Sequence, residues 1–330
     1  MENDSMNTGG GKAAPPDARH ASRPIIGICG IGQMGSSAAI AFKRAGYRVL
    51  LWARDATKLR AVEAELVRLA TWSDWHLGAP KRAGGETLLE QDLSRLDATA
   101  DVVLDCIIEV LDEKASLFRR LGGARERGAL FLSATSGLSI ADIGRRGECV
   151  ASLVGAHFWN PPHLIPVVEM IAGERTPATR LDAACALMED IGKIPVKCKD
   201  MPGFIGNRLM LALWREALAL VDAGVCTPEE ADRVVKLTFA LRLPVLGPFE
   251  NMDLVGLDAA ARIQNYLFPN LAANQIPSRC LTEKVAVGQL GMKTGRGFYD
   301  WSKRDAARVI ENRDRQITRQ LEFLKEIGAL

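Results

Sequence analysis

The feature that most constrains the fold is the glycine-rich segment Gly30-Ile31-Gly32-Gln33-Met34-Gly35. An apolar run over 25–29 precedes it, small and apolar residues follow over 36–45, and a second apolar run covers 49–52. Short apolar runs next to glycine or proline are typical of buried strands, and the small-residue stretch is typical of a tightly packed helix. Strand, glycine turn, helix and strand within about 30 residues predict a βαβ unit and therefore a parallel sheet.

The spacing of these glycines suits a bound dinucleotide. Gly30 permits a tight turn, Gly32 lets the backbone approach a pyrophosphate, and Gly35 lets helix and strand pack closely. The phosphates would lie at the helix N-terminus, where free N–H groups and the helix dipole attract anions. A glycine-rich turn that binds no ligand can have the same sequence pattern, but the predicted strand before it and helix after it favour a bound dinucleotide. We expect Gln33 and Met34 to belong to the same site.

The end of the second strand leaves the choice of cofactor open. An acidic residue there would hydrogen-bond the ribose 2′-hydroxyl of NAD, but the strand ends in Trp52-Ala53-Arg54-Asp55. Ala53 removes the carboxylate and Arg54 adds a guanidinium, which suits the 2′-phosphate of NADP. Asp55 reaches the ribose only if the strand ends two residues later. NAD and NADP both fit, with a slight preference for NADP.

The remaining pattern predicts two domains after a flexible leader. Further apolar runs at 102–108, 130–132 and 153–157 indicate buried strands, with a helix over 55–69 and a loop or short helical insert over 72–89. After residue 201 the chain reads as helical: 204–221 is apolar nearly all round, which predicts a buried helix, and Thr227 opens the next helix with a capping box. We therefore expect an α/β fold: a leader over 1–23, a Rossmann-type doubly wound parallel sheet over 24–200, and an all-helical domain over 201–330.

Composition narrows the class of protein. The 330 residues carry a formal net charge of +2, which gives no electrostatic reason to expect nucleic acid or an anionic membrane as partner. No apolar run approaches the roughly 18 residues of a membrane-spanning helix, and 1–23 lacks the apolar centre of a secretory signal. Seven scattered cysteines without a CxxC pair predict reduced thiols in a cytoplasmic protein, with no disulfide framework and no metal site.

A histidine and a glutamate suggest acid–base chemistry. His157 closes the predicted strand at 153–157, and Glu169 follows twelve residues later. A histidine whose ring is oriented by a carboxylate has a defined tautomer and can remove the proton of an alcohol while hydride leaves. A structural histidine at a strand end is the alternative for such a residue taken alone.

Five motifs in order make the chain resemble the 3-hydroxyacyl-CoA dehydrogenase family, from about residue 24 to 301. They lie at 157–169 (His, an aromatic pair, Asn-Pro, then Val-Glu), 134–140 (a Thr-Ser turn), 202–209 (Pro-Gly-Phe-Ile-x-Asn-Arg-Leu), 247–258 and 293–299. The resemblance implies that His157 is the base and that Glu169 pairs with it. It also implies that Ser136 and Asn207 hydrogen-bond the substrate oxygen.

The resemblance also places Glu109 and Lys114 in the cofactor pocket. Simpler interpretations exist for three of these residues: Ser136 as a turn residue, Asn207 as a helix cap and Lys114 as a solvated helix charge. Val110 stands where the family usually has asparagine. Trp159 and His163 add a bulky ring and a second imidazole, and we treat both as candidate substrate contacts, with His163 equally readable as a loop residue.

The sequence leaves two classes of substrate open. The family activity is reversible hydride transfer between a 3-hydroxyacyl-CoA and its carbonyl counterpart. A CoA tail carries several negative charges, yet the segment that contacts it in the family has only Lys81 and Arg82 as cations here. That shortage favours the alternative, a free hydroxy acid of the gulonate, carnitine or pyridine-carboxylate type. A non-catalytic crystallin-like or nucleotide-sensing protein is the alternative of another class. The apolar helix from 204 and the heptad-like spacing of apolar residues in the C-terminal tail predict a homodimer.

Overall fold

A computed structural model describes residues 23–330. The expected leader therefore lies outside the described residues, except for Arg23. The Arg23 guanidinium lies 3.0 Å from the Asp190 carboxylate and stacks 4.5 Å above the ring of Tyr47. These contacts tie the start of the described chain to the body of the first domain.

Eight strands form one sheet in the order β3-β2-β1-β4-β5-β6-β7-β8. They are β1 (Ile26–Cys29), β2 (Arg48–Trp52), β3 (Glu86–Glu90), β4 (Val102–Asp105), β5 (Leu130–Ser133), β6 (Leu153–Phe158), β7 (Val167–Ala172) and β8 (Ile194–Lys199). Every neighbouring pair is parallel except β6 and β7, which are antiparallel. The predicted doubly wound sheet is confirmed, with one antiparallel pair that the sequence pattern did not indicate.

Helices cover both faces of this sheet, and a helical region follows it. The helices are α1 (Gln33–Arg44), α2 (Ala56–Leu77), α3 (Leu93–Thr99), α4 (Leu111–Arg119), α5 (Gly122–Glu126), α6 (Ile140–Arg146), α7 (Ala178–Asp190), α8 (Gly206–Asp222), α9 (Pro228–Leu237), α10 (Pro248–Val255), α11 (Leu257–Leu267), α12 (Arg279–Ala286) and α13 (Ala306–Glu326). Alternate strand residues point to opposite faces, so Ile28 joins a core with α1, α2 and α7, whereas Cys29 joins a core with α3, α4 and α6. Both faces being buried explains why these strands read as continuous apolar runs.

The segment over 72–89 differs from the prediction of a loop or short insert. Helix α2 continues through it to Leu77, and residues 86–90 form β3, the edge strand beside β2. The sequence of β3, Glu-Thr-Leu-Leu-Glu, has only two apolar residues because one side of the strand has no neighbour. Its strand state depends on hydrogen bonds to β2, which no local pattern reveals.

The helical region confirms the fold class but corrects one prediction. Helix α9 begins with the predicted capping box between Thr227 and Glu230. Helix α8, however, has no buried residue in the single chain, and Leu209 and Trp214 are 60% and 51% exposed. The prediction of a buried helix does not hold in the single chain, since an apolar surface all round favours burial but does not say against which chain.

No helix among residues 23–330 combines the length and apolar composition needed to cross a membrane.

Candidate active site

Most of the predicted site residues lie at the carboxyl ends of the parallel strands. The glycine loop follows β1, Glu109 follows β4, Ser136 follows β5, and His157 lies near the end of β6. Since the carboxyl ends of parallel strands share one edge of the sheet, these loops are brought to one place. The start of α8 completes this edge from the helical region through the contacts described below.

Each of the three glycines of the loop is required, or suited to its position, for a different structural reason. Gly30 has φ of +117°, and a Cβ there would lie 2.5 Å from the carbonyl oxygen of Cys106. A Cβ on Gly35 would lie 1.9 Å from the carbonyl oxygen of Gly30, so this glycine is required by close packing. A Cβ on Gly32 would meet nothing within 4 Å, which leaves open space beside the first turn of α1. The first-turn N–H groups of a helix have no partner within it, so this space suits a pyrophosphate.

A cavity of about 420 Å³ opens beside this loop. Four of the predicted cofactor residues, Gly30, Gly32, Ala53 and Arg54, line it. The other predicted cofactor residues are not among its lining residues: Gln33, Met34, Gly35, Glu109 and Lys114.

Sequence reasoning missed three charged residues of this cavity, Lys58, Glu113 and Arg120. The helical spacing after Asp55 could have indicated Lys58, since it lies in the first turn of α2. Arg120 follows the end of α4, and its position beside the glycine loop depends on how α4 packs, so no local signal marks it.

Asp55 lines the cavity but lies beyond the end of the strand. Strand β2 ends at Trp52, and Asp55 is the N-cap of α2, where its Oδ1 accepts hydrogen bonds from the amides of Thr57 (2.9 Å) and Lys58 (3.1 Å). The hydrogen bond from the Lys58 amide, followed by that of Thr57, holds the pKa of Asp55 below its usual range. The later strand end that would let Asp55 reach the ribose is therefore not observed.

His157 and Glu169 form a buried pair. They face each other across the antiparallel strands β6 and β7, and His157 Nδ1 lies 2.7 Å from Glu169 Oε2. Both side chains are nearly inaccessible, at 5% and 3% exposure. The antiparallel turn of the chain after β6 thus creates a pair that twelve residues of spacing only suggested.

Glu169 accepts four hydrogen bonds. Oε2 receives those from His157 Nδ1 and, at 3.2 Å, Trp159 Nε1, while Oε1 receives those from the amides of Ile205 (2.8 Å) and Gly206 (3.0 Å) at the start of α8. Burial raises the pKa of Glu169, but hydrogen bonds from His157, Gly206 and Ile205 outweigh it, and the pKa falls below its usual range. An ionised carboxylate only accepts hydrogen bonds, so His157 carries its proton on Nδ1 and leaves Nε2 as the basic nitrogen.

The segment before α8 is held in an uncommon backbone conformation. Phe204 has φ of +51°, is 1% exposed, and lies with its ring centroid 5.6 Å from that of His157. Non-glycine residues with positive φ persist where surrounding packing holds them, often at functional sites. This turn directs the first amides of α8 at Glu169.

A second set of hydrogen bonds joins the helical region to the sheet. Asn207 Nδ2 donates to the backbone oxygen of Ser136 (2.6 Å), and the Ser136 amide donates to Glu109 Oε1 (2.7 Å). Thr135 Oγ1 also donates to Glu109 Oε1 (2.5 Å). Asn207, Ser136 and Glu109 are therefore joined in one network next to the α8 amides that hold Glu169.

Lys114 is buried, so its interpretation as a solvated helix charge was wrong. Its Nζ lies 2.9 Å from Asp105 Oδ2 and 3.5 Å from Glu109 Oε2, and its side chain is 1% exposed. Asp105 also accepts a hydrogen bond from Ser133 Oγ (2.7 Å). Sequence reasoning missed Asp105, although a carboxylate within an apolar run was a signal. Val110 is the N-cap of α4 and is 46% exposed.

The two candidate substrate residues lie in different surroundings. Trp159 lies beside His157, with ring centroids 5.3 Å apart. His163 instead contacts the edge of Trp72 at 5.5 Å and lines a separate cavity of about 350 Å³ together with Lys193. Burial, followed by the nearby Lys193 charge, lowers the pKa of His163 to about 4, so the ring is neutral at neutral pH. His163 is not brought into the His157 group.

Comparisons with known proteins agree with this arrangement. The family model described as the NAD binding domain of 3-hydroxyacyl-CoA dehydrogenase matches residues 25–201, and that of its C-terminal domain matches residues 203–301. The 5-formyl-3-hydroxy-2-methylpyridine 4-carboxylate 5-dehydrogenase of Mesorhizobium japonicum is 29% identical over 294 residues, covering 88% of this chain and 95% of that protein.

Two solved structures are also similar. A 5-formyl-3-hydroxy-2-methylpyridine 4-carboxylic acid 5-dehydrogenase, described as an NAD⁺-dependent dismutase, has a TM-score of 0.87 at 29% identity, covering 92% of this chain and 98% of its own. An (S)-3-hydroxybutyryl-CoA dehydrogenase from Ralstonia eutropha has a TM-score of 0.69 at 28% identity, covering 85% of this chain and 99% of its own.

Proposed function

The chain belongs to the 3-hydroxyacyl-CoA dehydrogenase family and is an NAD-dependent oxidoreductase that acts on a CH–OH group; we propose that His157 is its proton acceptor. The observation that carries the proposal is the buried hydrogen bond between His157 Nδ1 and the Glu169 carboxylate. The glycine loop would hold NAD, which when bound would supply the acceptor for the hydride of the carbinol carbon. His157 Nε2 takes the hydroxyl proton, and Glu169 stabilises the imidazolium that results. In the reverse direction His157 returns that proton to the oxygen.

We propose that Ser136 and Asn207 position the substrate oxygen. Ser136 is exposed at the edge of the sheet that His157 also reaches, and Asn207 is tied to it by the hydrogen bond to its carbonyl oxygen. Holding the reacting oxygen near the base reduces the entropy lost on reaching the transition state. The residues of the glycine loop and Arg54 would hold the cofactor.

We propose that the substrate is a small free acid of the pyridine-carboxylate type, without CoA. The two cations that could neutralise the phosphates of a CoA tail already contact Asp190. Arg82 Nη1 lies 2.9 Å from Asp190 Oδ1, and Lys81 Nζ donates to the Asp190 carbonyl oxygen at 3.1 Å. The higher TM-score of the pyridine-carboxylate enzyme, 0.87 against 0.69 for the hydroxybutyryl-CoA enzyme, supports the same choice.

The test compares two substrates with the same enzyme preparation. NADH absorbance is followed as the carbonyl compound is reduced, with NADH and either 5-formyl-3-hydroxy-2-methylpyridine 4-carboxylate or acetoacetyl-CoA. We expect kcat/KM for the pyridine acid to be larger by roughly 100-fold, about 2.7 kcal/mol in transition-state binding. A preference for acetoacetyl-CoA would establish the second candidate, 3-hydroxyacyl-CoA oxidation, which the match to the family's C-terminal domain favours.

The same assay addresses a non-catalytic protein. A crystallin-like or nucleotide-sensing relative has no need of a buried base and an ionised partner, both of which this chain retains. Absence of turnover on a broad panel of hydroxy acids and acyl-CoA esters, with NAD binding measured by fluorescence, would support the non-catalytic alternative.

We propose that the enzyme also uses NADP. Ala53 leaves no carboxylate directly after β2, and Arg54, Lys58 and Arg120 line the cavity there. Arg54 is 71% exposed, with its guanidinium 3.8 Å from Glu113, so it is free to turn toward a 2′-phosphate. We expect Arg54→Ala to lower kcat/KM for NADP by roughly 10-fold or more, the value of one charge-assisted hydrogen bond, while NAD changes less than threefold. An equal effect on both cofactors would refute this assignment.

We propose that the chain forms a homodimer through its helical region. None of the residues of α8 to α12 is buried in the single chain, while Phe249, Tyr266 and Leu254 are 79%, 77% and 72% exposed. Apolar surface of this extent marks a protein–protein interface, and a second copy supplies a self-complementary one. Light scattering at micromolar concentration should give twice the chain mass, and Phe249→Arg should shift it toward the monomer. A monodisperse wild-type monomer would refute the proposal.

We also propose a reducing compartment such as the cytoplasm. All seven cysteines are free thiols, which is typical of proteins kept under reducing conditions. Fractionation of cells that express the full chain tests this directly.

A further inference from the structure

We propose that Trp159 is a positioning residue that holds the Glu169 carboxylate in register with His157, and that residue 206 is glycine because the Trp159 ring occupies the space beside it. The inference rests on the proposed function in one respect, the role of His157 as base. It assigns Trp159 to the carboxylate and not to the substrate.

The first observation is the division of donors between the two carboxylate oxygens. Oε1 is held by the amides of Ile205 and Gly206, and Oε2 by His157 Nδ1 at 2.7 Å and Trp159 Nε1 at 3.2 Å. The indole N–H is therefore the only donor other than His157 itself among the hydrogen bonds to Oε2 within residues 23–330. Without it, that oxygen depends on the group it is meant to orient.

The second observation is the space around Gly206. A Cβ there would lie 2.2 Å from Trp159 Cζ2, 3.0 Å from Cε2 and 3.1 Å from Cη2, all atoms of the six-membered ring. Gly206 is not among the glycines with positive φ, so its backbone conformation is open to any residue. Glycine within a helix costs up to about 1 kcal/mol relative to alanine. Contact with the ring is therefore the reason for glycine at the first position of α8.

Together the two contacts fix the orientation of the indole. Its six-membered ring packs against Gly206, and its ring centroid lies 5.3 Å from that of His157 with the two rings tilted by 54°. A tryptophan held in this way directs its N–H at Oε2 without adjustment during the reaction. The cost of organising the carboxylate is thus met on folding, which is the condition for effective electrostatic catalysis.

The experiment removes the N–H with and without the ring. Trp159→Phe removes the N–H and the bicyclic shape of the indole. Incorporation of 3-benzothienyl-L-alanine at position 159 keeps the bicyclic shape and replaces N–H with sulfur. Trp75→Phe, at a side chain that is 84% exposed on α2, is the matched control for loss of a tryptophan. The measurements are the pH profile of kcat/KM for alcohol oxidation and the ¹⁵N NMR spectrum of the His157 imidazole.

We expect both replacements at position 159 to lower kcat roughly 5- to 30-fold, with Kd for NAD changed less than twofold. The acidic limb of the pH profile should move to lower pH, because a carboxylate that is no longer held in register with His157 stabilises the protonated imidazole less. The NMR spectrum should show a smaller fraction of the Nδ1–H tautomer. Trp75→Phe should match the wild type in all three measurements.

Gly206→Ala tests the packing half of the proposal. It should lower Tm in the wild-type background and lower it much less in the Trp159→Phe background, since the clash involves the indole. Equal losses of Tm in both backgrounds would refute the steric role. An active enzyme whose pH profile and His157 spectrum are unchanged by either replacement at 159 would refute the positioning role. If the wild type shows no dehydrogenase activity, the proposed function fails, while the NMR and Tm measurements still decide this inference.

Discussion

Replacing Glu169 with glutamine tests the central pair most directly. The carboxylate accepts hydrogen bonds at both oxygens, from His157 and Trp159 on one and from two α8 amides on the other. A glutamine side chain has one oxygen and one NH₂ group, so one of these pairs of donors must face another donor. If the oxygen stays with the α8 amides, the NH₂ group faces His157 and reverses its tautomer, placing the proton on Nε2.

The magnitude follows from what each orientation loses. A reversed tautomer removes the general base, which is worth 10²–10⁴ in rate, or about 2.7–5.4 kcal/mol. The opposite orientation leaves two buried amides facing NH₂ and costs about 1–3 kcal/mol of stability for each unpaired group. We therefore expect Glu169→Gln to lower kcat by at least about 100-fold or to lower Tm, with the glycine loop and cofactor affinity unaffected.

The assay measures kcat with saturating substrate, NAD affinity by fluorescence and Tm by calorimetry. His157→Gln is the comparison, with an expected loss in kcat of roughly 10²–10⁴-fold and little change in NAD affinity. The double variant should lose little more than His157→Gln alone, because residues that act as a unit are not additive. A Glu169→Gln enzyme with kcat within threefold of the wild type and an unchanged Tm would refute the reasoning.

Three further predictions concern buried charges. Lys114→Met leaves Asp105 buried without its charged partner and should lower the free energy of unfolding by about 3–5 kcal/mol, measured by urea unfolding. The double variant Lys114→Met and Asp105→Asn should recover most of this loss. Burial lowers the pKa of Lys193 from 10.5 to about 8, so the unfolded state binds more protons between those values. Lys193→Met should therefore stabilise the protein by up to about 3 kcal/mol at pH 7, with the gain vanishing near pH 10.5. Burial lowers the pKa of His163 from 6.5 to about 4. The free energy of unfolding of the wild type should therefore fall by up to about 3 kcal/mol relative to His163→Asn as the pH decreases from 6.5 to 4. Stability curves that stay parallel over this range would contradict the prediction.

The buried strands and the glycine loop could be read from the sequence because their causes are local. Strands such as β1 and β4 are covered on both faces, so all their positions except Asp105 at the end of β4 are apolar or glycine, and the run itself is the signal. Edge strand β3 shows the limit, since its five residues become a strand only by pairing with β2. The antiparallel pairing of β7 was equally invisible, although it brings Glu169 to His157.

The sequence by itself determined the βαβ start and the order of the motifs, and it singled out His157 and Glu169, which we propose as the base and its acidic partner. Glycine spacing, apolar runs and capping residues act over a few residues, so their effect can be read without knowing the fold. Only the tertiary structure decided that Lys114 is buried against Asp105, that His163 lies apart from His157, and that the indole of Trp159 is bound to Glu169. These outcomes depend on which distant segments meet, because burial, pKa and hydrogen-bond partners are properties of the surroundings and not of the residue.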